Sequence, residues 1–206
     1  MDGILNINKP AGLTSFDVVS KIRKICQTKK VGHAGTLDPD ARGVLPVCVG
    51  KATKVIEFLM DNTKTYRVGL LLGTATDTQD ASGKVTYEKP VHASTEEIEN
   101  AIKSFLGETK QIPPMYSAIR VNGKRLYELA RKGVEVERKP RTVTLYSIEI
   151  LNIIRKDDKV EAVFDVDCSK GTYMRTLCHD IGEKLGCGGH MSSLVRLRSG
   201  PFTIEN

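Results

Sequence analysis

The residues best suited to chemistry lie in Val31-Gly-His-Ala-Gly-Thr-Leu-Asp-Pro-Asp-Ala-Arg-Gly-Val-Leu-Pro46, where Asp38 has His33 before it and Arg42 after it. Pro39 lacks an N–H and disfavours the helical region at Asp38, so the segment is no regular helix, and its Gly and Pro content argues against a central strand. It reads as a shaped loop holding an acid, an imidazole and a guanidinium, followed by the apolar run Val44 to Val49. Such a loop is a common mount for catalytic groups. A carboxylate held there can act as a nucleophile at sugars and activated rings. Burial alone would raise its pKa and neutralise it, so an opposite charge is needed. Arginine suits the task because it is always charged and grips a carboxylate at two points. Arg42 is the near candidate. Arg175, in Ser169-Lys-Gly-Thr-Tyr-Met-Arg175, lies at a strand-to-helix turn, and from the residues alone it reads equally as a surface arginine.

Other chemistries fit poorly. Gly50-Lys51 is no phosphate loop, because Leu45 and Ala52 stand where Gly and Ser or Thr are required. No dinucleotide fingerprint and no nucleophile elbow occur. Asp38 and Asp40 flank a proline on a loop and should point apart, which makes a poor metal pair. The five cysteines are widely spaced with no C-x-x-C, so a disulfide framework is not expected and a reducing, cytoplasmic setting is. Cys178-His179 and Cys187 with His190 lack zinc-type spacing. The net charge of +6 suits a polyanionic partner without establishing one. There is no Trp, so stacking on a base falls to a few Tyr, Phe or His. No apolar run approaches the roughly 20 residues of a membrane span, and the N-terminus has no signal-peptide pattern.

The elements that must position Asp38 can be read from periodicity and turn residues. Strands are expected over Ile4–Asn8, Val44–Val49, Tyr66–Leu72, Thr142–Ile154, Glu161–Cys168 and Ser193–Arg198. Helices are expected over Phe16–Cys26 with Thr14 or Ser15 as cap, Ala52–Met60, Ser94 to Phe105 behind a capping box, Leu126–Arg131 and Tyr173–Leu185. Thr74 to Ser82 should be a polar loop returning through Lys84–Glu88, and Asn122-Gly123 a tight hairpin turn. Paired strands with inserted helices argue an α+β fold on a mainly antiparallel sheet, in a single domain over 1–206.

Taken together, Asn8-Lys-Pro-Ala-Gly-Leu-Thr-Ser15, Gly32-His-Ala-Gly-Thr-Leu-Asp-Pro39, Lys64-Thr-Tyr-Arg67, Ile112-Pro-Pro-Met-Tyr-Ser-Ala118 and Ser169-Lys-Gly-Thr-Tyr-Met-Arg175 resemble, in order, the bacterial TruB pseudouridine synthases. Ala34 departs from the family, where Thr is common. The resemblance spans Gly3 to Phe202. It implies the pseudouridine synthase fold: a mainly antiparallel mixed sheet flanked by helices, with a thumb-like RNA-clamping insertion at about 105–140. It also implies isomerisation of uridine 55 in the tRNA T-loop, with no metal, nucleotide or other cofactor. The target base is flipped out, its glycosidic bond is broken and it is rejoined through carbon. On the resemblance Asp38 is the nucleophile, Arg175 its ion-pair partner, and Tyr66 a stacking residue and candidate proton acceptor. His33, Tyr173, Leu194 and Lys54 contact the substrate. The C-terminal RNA-binding domain of longer members is expected to be absent.

The expected partner is the tRNA T-arm, and the expected state a monomer with no membrane association. Lys21, Lys29, Lys30, Lys124, Arg125, Arg131, Lys132, Arg196 and Arg198 are candidate phosphate contacts. Two rivals remain at this point: a tRNA-binding or folding module whose chemistry is secondary or lost, and a nucleoside hydrolase or glycosidase using Asp38.

Overall fold

The computed structural model describes the chain except for Ala118, Asn122, Arg131 and Asn206, and only the backbone of Arg120, Val121, Lys124 and Arg125. In chain order the elements are β1 (Gly3–Lys9), α1 (Ser15–Ile25), β2 (Val31–His33), β3 (Arg42–Val49), a 3-10 turn (Gly50–Val55), α2 (Ile56–Met60), β4 (Lys64–Leu72), β5 (Thr74–Thr76) and β6 (Val85–Glu88). They continue as α3 (Thr95–Lys103), β7 (Gly107–Gln111), β8 (Arg120–Val121), β9 (Lys124–Arg125), α4 (Leu126–Ala130), β10 (Arg141–Lys156), β11 (Lys159–Cys168), α5 (Met174–Lys184), β12 (Gly189–Ser199) and β13 (Phe202–Thr203).

The main sheet runs β1-β3-β12-β4-β11-β10-β7, with β2 beside β3 and β13 beside β12. All its pairings are antiparallel except β12 with β3, which makes it a mixed sheet of the expected kind. In β11, Val160, Ala162, Phe164, Val166 and Cys168 are buried at every second position, as a strand with one core face requires. α5 buries Leu177, Cys178 and Ile181 against β12 and β4, while α3 buries Ile98 and Ile102 beside β10. Thr14, not Ser15, closes the capping box of α1 with Asp17, and Ser94 does the same for α3 with Glu97. No described helix is long and apolar enough to cross a membrane.

Several expectations change. Val31–His33 is a strand, because β3 supplies its pairing at Val47–Val49. The helix expected over Ala52–Met60 is a 3-10 turn followed by a five-residue helix. The strand expected at Tyr66 begins at Lys64, and Gly107–Gln111, inside the expected insertion, is a strand of the main sheet. Within the expected insertion the chain therefore leaves the main sheet only between 112 and 140. The Asn122-Gly123 turn and the C-terminal end of the helix expected over Leu126–Arg131 fall on Asn122 and Arg131, outside the described residues.

Candidate active site

The Asp38 loop joins β2 to β3 and is held along its length. Before Asp38, Ser15 Oγ receives the Leu37 N–H at 2.9 Å, which ties the loop to the first turn of α1. After it, the Pro39 carbonyl accepts from the Gly12 N–H and from Lys9 Nζ, both at 2.9 Å. Lys9 is wholly buried and gives its other protons to the Pro10 and Leu13 carbonyls at 2.9 and 2.6 Å. Burial lowers its pKa, opposed by Asp40 and Asp38. Arg196 of β12 is 1% exposed and donates to the Val44, Thr36 and Gly35 carbonyls at 2.7, 3.4 and 3.2 Å.

Arg175, in the first turn of α5, meets the carboxylate that this loop presents. Its Nε lies 3.1 Å from Asp38 Oδ2 and its Nη2 3.3 Å from Oδ1, a two-point grip. The same Nη2 donates to the Tyr116 carbonyl at 2.8 Å, and Nη1 lies 3.7 Å from Asp80 Oδ2. Burial raises the Asp38 pKa, Arg175 opposes it, Asp80 adds to the rise, and burial wins. The result is a carboxylate less hydrated, and harder to ionise, than an exposed one.

Asp38 and Arg175 open into a cleft of about 1780 Å³ that is also lined by His33, Tyr66, Tyr173 and Leu194. Sites for small molecules fill about 300–1,000 Å³, so this cleft suits a piece of a polymer. Tyr66 on β4 pairs in register with Arg196, and Val68 with Leu194. Burial raises the Tyr66 pKa, with Arg196 pulling the other way. A phenol held protonated offers a ring face and an O–H donor; as a proton acceptor it must first lose its own proton. Burial, aided by Arg196, lowers the His33 pKa and keeps the imidazole neutral. Tyr173 caps α5, and its backbone N–H and carbonyl are both bound by the Gln111 side chain, at 2.9 and 3.2 Å. Tyr116, Ser117 and Tyr127, from the 112–140 excursion, complete one wall.

Lys54 is not brought to the site; it is exposed on the 3-10 turn, outside the cleft lining. One expected phosphate contact is corrected: Arg196 is buried under the Asp38 loop. Arg198 is partly exposed and engaged by Asp167, Thr65 and Thr63. Arg131, and the side chains of Lys124 and Arg125, lie outside the described residues. Sequence reasoning missed Asp80, Lys9, Ser15 and Arg196 as site residues. For Lys9 and Ser15 a signal existed, since both stand in the first of the resembling motifs. Asp80 had none, because nothing local says that its loop folds over Arg175. Among the described residues no group of three or more His, Cys, Asp or Glu is placed to hold a metal ion.

Residues 23–174 match the model of the TruB family pseudouridylate synthase (N terminal domain), and residues 175–206 that of the tRNA pseudouridylate synthase B C-terminal domain. That division falls inside α5, and the second piece includes β12, an inner strand of the main sheet. The chain is 58% identical over 205 residues to tRNA pseudouridine synthase B of Alkaliphilus oremlandii, covering 100% of this chain and 67% of the relative. It is 54% identical over 207 residues to tRNA pseudouridine synthase B of Bacillus licheniformis, covering 99% and 67%. Among solved structures, the crystal structure of a Cbf5-Nop10-Gar1 complex superposes with a TM-score of 0.74 at 37% identity, over 98% of this chain and 50% of that one.

Proposed function

The chain belongs to the TruB family of pseudouridylate synthases, and on that premise we propose that it isomerises uridine 55 in the T-loop of tRNA to pseudouridine, with Asp38 as the nucleophile. The observation that carries the assignment of Asp38 is the two-point Arg175 grip on a half-buried carboxylate at the floor of a polymer-sized cleft. In the reaction the bond from the ribose C1′ to N1 breaks, a bond from C1′ to C5 forms, C5 gives up its proton and N1 gains one. Composition is unchanged, so no oxidant or co-substrate enters. A base inside a folded loop must first be extruded, at a cost of a few kcal/mol.

Tyr66 and His33 supply flat, uncharged faces to unstacked bases. Tyr173 and Leu194 border the uridine. Arg175 keeps enough negative charge on Asp38 for attack, and the 112–140 excursion closes over the RNA. The described cysteines are free thiols, which supports a reducing, cytoplasmic setting.

The test is a tRNA transcript carrying tritium at C5 of its uridines, in buffer with chelator and no nucleotide. Tritium release equal to one uridine per tRNA, mapped to position 55, with an unchanged RNA mass, is the expected result. Binding without release would make the protein a binding module. An abasic site would make it a glycosidase.

A further inference from the structure

Among the described residues Arg196 is a buried cation with no carboxylate partner. It is 1% exposed, and no carboxylate among the described residues lies within 4.0 Å of its guanidinium. Burying a charge without an ionic partner lowers stability, and an apolar side chain of similar volume would serve the core better. Its presence therefore calls for another reason, and its position gives one. In the sheet Arg196 stands opposite Tyr66 of β4 on one side and Gly43 of β3 on the other. Its donors reach Gly35 and Thr36 on the stem before Asp38, and Val44 on the stem after it. One rigid plane thus fixes both stems of the loop.

We infer that Arg196 is the positioning residue of this site, a buried brace whose planar donor fork sets the height and direction of Asp38 relative to Tyr66. The inference rests on the reading of the cleft as the uridine site. The loop packs directly on this guanidinium: at Gly35, with φ of +106°, a Cβ would lie 3.4 Å from Arg196 Nη1 and 3.9 Å from Nη2. A lysine is no substitute, because its donors radiate from one atom and cannot span carbonyls on both stems. The titratable groups that feel the charge are His33, Tyr66, Lys9 and Lys64.

The experiment compares the full chain with Arg196→Lys and Arg196→Gln, well below each melting temperature. Single-turnover rate and Kd are measured on a T-arm transcript, and the four histidines are titrated by NMR. A displacement of about 1 Å at a reacting group can cost on the order of 100-fold in rate. Both variants are therefore expected to bind RNA within about 3-fold of wild type while turning over roughly 100-fold more slowly. The His33 pKa is expected to rise in Arg196→Gln, where the repelling charge is gone. Wild-type turnover in Arg196→Lys, or a rate loss matched by loss of RNA binding, would overturn the inference. Should neither variant fold, the wild-type Arg196 Nε–H decides: slow solvent exchange is expected, and exchange as fast as in a free arginine overturns the brace. If wild-type protein makes no pseudouridine, the functional reading fails instead, and the His33 titration and Nε–H exchange still judge the brace.

Discussion

Two opposing effects meet at the Asp38 carboxylate: burial pushes its pKa above 3.8, and the Arg175 guanidinium pulls it back. On the proposed mechanism only the ionised form attacks, and a raised folded pKa means that this form is lost as pH falls through that raised value. The acid limb of the single-turnover rate should therefore lie above the ordinary carboxylate pKa. Arg175→Gln should move it further toward neutral pH, because burial then acts with less opposition. A pH–rate profile on both proteins checks this, and an acid limb that stays in place in Arg175→Gln contradicts the pairing. At this scale the acid at the cleft and the arginine paired with it were legible. Asp38 stood out because proline and glycine mark its loop, and the motif order supplied Arg175. Of the supporting cations, Lys9 was given no role of its own and Arg196 was read as a phosphate contact. A basic side chain gives no local sign that it is buried, since that depends on carbonyls contributed by distant segments.

At the scale of elements, β12 is the strand that assembles the site. It pairs parallel with β3, which begins at the end of the Asp38 loop, and antiparallel with β4, which carries Tyr66. Gly43 is the point of closest approach. Gly43→Ala adds a left-handed φ penalty to a clash with the Arg196 backbone, together costing roughly 2–5 kcal/mol. Chemical denaturation should show that loss, whereas Gly171→Ala, at φ +79° with nothing within 4 Å, should cost less. Equal losses would remove the argument from close approach. The long strands were legible because one face is buried and alternation survives, as in Ala162, Phe164 and Val166. Val31–His33 and Gly107–Gln111 were missed, because such short strands draw their hydrogen bonds from β3 and β10 rather than from any pattern of their own. The helix over Ala52–Met60 was drawn too long. The 3-10 turn over Gly50–Val55 has about 3.0 residues per turn against 3.6, a difference that so short a stretch barely shows in its apolar spacing.

For the whole molecule, the net charge of +6 is unevenly used. Arg196 and Lys9 are spent inside, while Lys29, Lys30 and Lys51 are exposed together, the Lys30 carbonyl accepting from the Gly50 N–H at 2.7 Å. α1 runs between this patch and the cleft mouth, where Thr14, Ser15 and Phe16 lie. Its 11 residues span about 16 Å. If this face follows the RNA backbone, replacing Lys29, Lys30 and Lys51 together by Ala should weaken T-arm binding and flatten its dependence on log salt by about 1 per lost phosphate contact. The bound turnover rate should not change. An unaltered salt slope would place the RNA elsewhere. The most direct test of the central claim, that the Asp38 carboxylate attacks a flipped uridine, is single-turnover tritium release by Asp38→Asn with saturating protein over a T-arm substrate. The predicted result is RNA binding within a few-fold of wild type and no release above background; release at a rate near wild type would contradict it.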